Sequence, residues 1–238
     1  MSVSAAKTVR EVALESPNAT RVFEKLGIDY CCGGKKSLDE ACDTAHLPIG
    51  DVLAALEAAA QPTPETNADH KNLPLSELIE HIVQTHHQYT REAIARIVPL
   101  AAKVAGKHGQ SHPELLDVRD TFSVLAQELT MHLMKEEMVL FPYVVRMEES
   151  VLEGSPILPG PFGTVRNPVG MMEEEHDSAG AALRRLRALT NDYQCPPDAC
   201  VSYHALYEAL EALEADLHQH IHKENNILHP RAVAMEQR

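Results

Sequence analysis

His132-Leu133-Met134-Lys135-Glu136-Glu137-Met138-Val139-Leu140-Phe141-Pro142 and His220-Ile221-His222-Lys223-Glu224-Asn225-Asn226-Ile227-Leu228-His229-Pro230 are two copies of one pattern, H-x-x-K-E-x-x-x-L-x-P. On a helix, a His and a Glu four residues apart project from one face, about 5.4 Å apart along the axis. A further His stands on an earlier helical stretch before each copy: His86 before the first, His176 before the second. Each half of this region therefore reads as a helix hairpin. Its first helix offers one His and its second offers His-x-x-x-Glu.

Working outward, apolar residues recur at steps of three and four on the same stripes as these polar groups. Phe122, Leu125, Leu129, His132, Glu136 and Leu140 share one face, and Leu210, Leu213, Leu217, His220, Glu224 and Leu228 share another. Ile79, Ile82, His86 and Ala93 put His86 on the core stripe of the first helix, and Met172, His176, Ala179 and Leu183 do the same for His176. Six polar groups thus fall on faces that should be buried. Burying them without partners costs several kcal/mol, on the order of 2 kcal/mol or more for each. A metal centre satisfies all six at once. Four imidazoles and two carboxylates are too many for one tetrahedral zinc and suit two ions, with iron first and manganese second. Glu136 and Glu224 are placed to bridge them.

The spacing predicts four long helical stretches, 74–105, 113–149, 168–191 and 198–229, with short joins within each pair and a loop rich in Pro and Gly, Ser150–Pro168, between the pairs. The expected fold is all-α: an up-down-up-down four-helix bundle over 73–238, a small helical domain over 1–60, and a polar linker over 61–72 containing two Pro residues. Within 1–60, Ser16-Pro17 resembles a helix start and Gly27 a stop. Ser37 with Glu40 forms a capping-box pattern, and an Ala-rich helix runs from Ile49 to Ala60.

Composition narrows the function. A net charge of -14 argues against nucleic acid, whose phosphates need clustered Lys and Arg. No apolar run approaches the roughly 20 residues of a membrane helix, and the N-terminus has no apolar segment of a secretory signal. Five Cys, two of them adjacent, make a poor disulfide framework and fit a reducing, cytoplasmic setting. Cys31 and Cys32 sit in a Gly-rich turn where accessible thiols are expected to hold iron in transit or to do redox chemistry. Cys42, Cys195 and Cys200 read as structural, because no His in the sequence pattern completes a site with the last two. His81, His87, His218 and His222 are expected at the surface or against the ligands, Glu137 and Glu173–Glu175 likewise, and Lys135 and Lys223 at the helix surface.

At these residues the chain resembles the hemerythrin-like proteins with two irons and, more narrowly, the Repair of Iron Centres family. Asp29-Tyr30-Cys31-Cys32-Gly33-Gly34 carries the narrower likeness, together with the set His86, His132, Glu136, His176, His220 and Glu224. The resemblance implies two non-haem irons joined by an oxo group and by both Glu. It implies recovery of iron-sulfur proteins damaged by nitric oxide or oxidative stress, through supply of iron. The partners would be damaged iron-sulfur proteins, with nitric oxide or oxygen as small ligands and no nucleic acid or membrane. The alternatives are binding, scavenging or reduction of nitric oxide. A turnover enzyme would need a separate electron donor, since the chain has no flavin or nicotinamide fingerprint. Monomer and homodimer both stay open.

Overall fold

The computed structural model describes residues 3–16, 18–59 and 70–237, and the fold is all-α, as the periodicity predicts. Pro17, most of the predicted linker and Ala60 lie outside the described residues. Among the described residues no helix is long and apolar enough to cross a membrane. The chain divides into two compact units, residues 1–74 with 218–231 and residues 75–217 with 232–238.

In the first unit, α1 (Val9–Glu15), α2 (Ala19–Leu26), α3 (Leu38–Thr44) and α4 (Ile49–Ala59) are short, so their ends matter. Isolated helices of this length are marginal in water. Reciprocal caps help to hold two of them. The Ser37 hydroxyl accepts from the Glu40 N–H at 3.2 Å while the Glu40 carboxylate accepts from the Ser37 N–H at 3.0 Å, as the sequence predicts. Thr8 and Glu11 do the same at the start of α1. Gly27 ends α2 with a φ of 66°, a left-handed value that costs glycine nothing. Phe23, Tyr30, Leu38 and Val52 fill the core beneath these helices.

The second unit begins with α5 (Leu75–Ile82), α6 (Gln88–His108) and α7 (Glu114–Lys135), followed by α8 (Phe141–Glu153) and α9 (Arg166–Leu189). The helix α10 (Val201–Lys223) starts in this unit and continues into residues of the first, and α11 (His229–Glu236) closes the chain. The predicted helical stretches are therefore found, with the second extended to Glu153 and the fourth to Glu236. Val104, Phe122, Leu125, Leu183, Leu206 and Leu213 belong to the unit's apolar core. Truncating one of them, such as Leu125→Ala, would cost about 2–5 kcal/mol. Glu148 accepts from the Leu75 and Ser76 N–H groups at 2.6 and 2.9 Å, satisfying donors that the start of α5 would leave unpaired. Arg187 grips the buried Glu214 through two nitrogens, at 2.8 and 3.2 Å, tying α9 to α10.

Three of the long runs contain a π-helical segment: Val83–His87, Glu136–Leu140 and Glu224–Leu228. The last two have a local cause. Pro142 and Pro230 follow them, and a proline can neither donate an N–H to the residue four back nor tolerate that carbonyl nearby. The chain widens instead, and the N–H groups of Phe141 and His229 reach back five residues to the carbonyls of Glu136 and Glu224.

Candidate metal centre

His132, Glu136 and His176 meet in the interior. The Nε2 atoms of His132 and His176 are 3.0 Å apart, and His132 Nε2 is 3.4 Å from a Glu136 oxygen. On the far side of the His132 ring from this meeting point stands a carboxylate. His132 Nδ1 is 2.9 Å from Glu175, which also pairs with Lys135. His87 follows the same plan: its Nδ1 is 2.6 Å from Glu137, and its Nε2 is 3.4 Å from the same Glu136 oxygen. Arg91 donates to Glu137 at 2.7 Å, and the His87 ring stacks on Phe141. A carboxylate on Nδ1 fixes the tautomer and leaves Nε2 with a lone pair to offer. On the second copy of the repeat, His220 Nε2 lies 3.0 Å from Glu224 Oε1.

The donor atoms form two overlapping groups. Those of His132, Glu136, His176 and Glu224 all lie within 4.8 Å of one another, and so do those of His87, Glu136, His220 and Glu224. All six distinct residues of the two groups are buried, as is His86, and the two groups share both carboxylates. Glu136 is fully buried, and among the described residues neither of its oxygens has a hydrogen-bond partner. A buried carboxylate left in that state would be held at a cost of several kcal/mol, on the order of the penalty for an unpaired buried charge. Imidazole nitrogens and carboxylate oxygens of this kind suit iron, so the donor set fits a non-haem metal.

The register of the first helix departs from the expectation. His86 is buried but belongs to neither group; its Nδ1 is 2.9 Å from Asp216. His87, expected at the surface, is fully buried and takes the inward place. The π-helical segment Val83–His87 is the physical reason. One extra residue absorbed in a wide turn sets every later side chain back by about 100° relative to a plain α-helix, so His87 takes the angle that His86 would have had. His222, also expected at the surface, is buried with its ring edge-on to Tyr30 at 5.3 Å. Lys223 is buried too, whereas Lys135 reaches Glu175 from a half-buried position. The carboxylates Glu137 and Glu175 hold the His87 and His132 rings in place, one of the two roles open to them from sequence.

In the first unit, the Cys31-Cys32 turn is built around Asp29. Its Oδ1 accepts from the N–H groups of Cys31 and Cys32 at 3.2 and 2.9 Å, and the two sulfurs are 3.7 Å apart. A Cβ at position 33 would come within 2.8 Å of the Asp29 carbonyl, so only glycine closes the turn. The turn rests on residues that flank Glu224. Asn226 Nδ2 donates to the Tyr30 carbonyl at 3.0 Å, Asn225 Nδ2 to the Cys31 carbonyl at 3.3 Å, and Gln219 to the Tyr30 hydroxyl at 2.8 Å. The donor atoms of Asp29, Cys31 and Cys32 make a third group within 4.8 Å of one another. Cys31 is buried rather than accessible. Its hydrogen bond with Cys32, its burial and the Asp29 carboxylate push its thiol well above the ordinary value, so helix ends do not make it a ready thiolate.

Residues 78–232 match the hemerythrin HHE cation binding domain, and residues 5–60 match ScdA_N, a domain of unknown function (DUF542). The chain is similar to the iron-sulfur cluster repair protein YtfE of Escherichia coli O81 (strain ED1a), 35% identical over 226 residues that cover 95% of this chain and 96% of the relative. The proteins of the same name from Citrobacter koseri and Escherichia fergusonii are each 34% identical over the same shares. The hemerythrin domain implies non-haem iron binding, in agreement with the His and Glu groups above. On the length of these matches and the domains they span, the chain belongs to the hemerythrin-like Repair of Iron Centres family.

Proposed function

We propose that this protein repairs iron-sulfur clusters damaged by nitric oxide or oxidative stress, and that it does so by supplying iron. The observation that carries the reading is the pair of His and Glu groups sharing Glu136 and Glu224. In this reading His132 and His176 would hold one iron and His87 and His220 the other, with Glu136 and Glu224 as donors common to both. Iron held there would supply labile metal for rebuilding a cluster and would be able to bind small ligands such as nitric oxide or oxygen. Glu137 and Glu175 keep the protons of His87 and His132 on Nδ1, so that Nε2 faces inward. Asp29, Cys31 and Cys32 would receive iron in transit to a damaged client protein. A cytoplasmic setting, where thiols stay reduced, fits that use of the pair.

Two measurements test this. Elemental analysis after anaerobic purification should find about two irons per chain, as a two-metal site requires; a single zinc would end the proposal. The iron-loaded protein should then restore a hydratase inactivated by nitric oxide better than the same amount of free ferrous iron.

One observation favours a second reading, a nitric oxide scavenger or reductase. Each group offers four protein donors, which leaves positions open on an octahedral ion. The double substitution Cys31→Ala with Cys32→Ala separates the two. Gas binding should survive it, whereas cluster repair should not.

A further inference from the structure

Cys200 has a partner that its sequence neighbourhood does not reveal. It stands directly before α10, and its carbonyl accepts the N–H groups of Tyr203 and His204 at 2.8 and 3.1 Å, which makes it the residue that opens the helix. From the last turn of α6, His108 places Nε2 3.1 Å from the Cys200 sulfur. The ring is not loose. It packs against the buried ring of Tyr203 at 5.5 Å, and His112 packs against the same tyrosine at 5.7 Å. Asp198, the carboxylate nearest in sequence, is turned toward His112, with Nε2 at 3.1 Å, so its charge is already countered. Glu114 lies against the other nitrogen of His112 at 3.2 Å. The groups facing the sulfur are therefore an imidazole, the positive end of a helix and the Lys107 ammonium. The N–H groups of Tyr203 and Ser202 and that ammonium hold the thiol below its ordinary value, against an opposing effect of burial. Cys200 is half-buried, so small molecules can reach it.

We propose that Cys200 and His108 form a reactive thiolate pair, a modification site for hydroperoxides separate from the metal centre. The Cys200 thiolate attacks one peroxide oxygen. The S–O bond forms as the O–O bond breaks, so sulfur loses two electrons and the peroxide gains them. The proton on His108 Nε2 passes to the departing hydroxide, and the products are a sulfenic acid and water. The step uses one equivalent of hydrogen peroxide and needs no metal.

The test compares the five cysteines of the full-length protein as internal standards. After brief iodoacetamide treatment from pH 5 to 9, mass spectrometry of the peptides should show Cys200 alkylated roughly tenfold faster at pH 7 than Cys195, whose thiol burial pushes up. His108→Gln should slow Cys200 by about tenfold or more and move its profile to higher pH, leaving Cys32 unchanged. His108→Asn is the second variant should the first unfold. One equivalent of hydrogen peroxide followed by dimedone should label Cys200. The label should persist in Glu136→Ala, which lacks a ligand of the proposed metal centre. An ordinary profile for Cys200 that ignores both His108 variants would overturn the pair. So would a dimedone label that vanishes with Glu136→Ala, because the oxidation would then belong to iron chemistry.

Discussion

The two copies of the H-x-x-K-E repeat agree where they face inward and differ where they face outward. In both, His and Glu stand one turn apart, a π-helical segment starts at the Glu, and a Pro follows. The next two positions diverge. The first copy has Glu137 and Met138; the second has Asn225 and Asn226. Glu137 turns to His87 and Arg91, while Met138 is 73% exposed. Asn226 is buried to 5% and, with Asn225, holds the turn that carries Cys31. Matching positions supply the donor groups of the candidate centre, and the others give each copy a separate duty: one braces His87, and the other anchors the thiol turn.

The largest expected effect tests the shared part. Glu136→Ala and Glu224→Ala should each empty the whole centre, with iron per chain near zero, because each carboxylate serves both groups. Retention of one iron by either variant would mean that the two copies act independently. Next comes the register of the first helix. His87→Ala should remove at least one iron per chain, whereas His86→Ala should leave the metal content close to that of the parent; the reverse result would restore the plain helical register. A smaller loss tests the brace: Glu137→Ala should weaken metal retention by about 10–100-fold in a chelator competition. The smallest effect belongs to the anchor. Asn226→Ala removes one buried hydrogen bond, worth about 1 kcal/mol, and should raise the alkylation rate of Cys31 by about fivefold with iron content unchanged.

Most of the centre can be read in the sequence because its signal is periodic. His132, Glu136, His220 and Glu224 sit at steps of three and four among leucines, and burial on that stripe demands partners. His87 could not be read the same way. Its doublet with His86 leaves the phase to whatever the backbone does between Val83 and His87, and no proline announces the wide turn there as Pro142 and Pro230 do for the other two. The contact of Cys200 with His108 was hidden for a different reason. It joins the last residue of α6 to the residue that precedes α10, which no spacing rule links, whereas Cys31-Cys32 is conspicuous in sequence yet has a thiol pushed up at its first position.

The π-helical segments also act as phase joints. A straight helix ties the direction of every side chain to that of every other, so aiming a ligand would commit the packing of the whole rod. With one extra residue per turn, the ligand-bearing stretch and the stretch beyond it can each be set to its own angle. Relaxing the Glu136–Leu140 joint to a plain α-helical turn at unchanged chain length would rotate Tyr143, Val144 and Met147 out of their buried places by about 100°. The damage would appear in α8, beyond the joint, with His132 and Glu136 still in place.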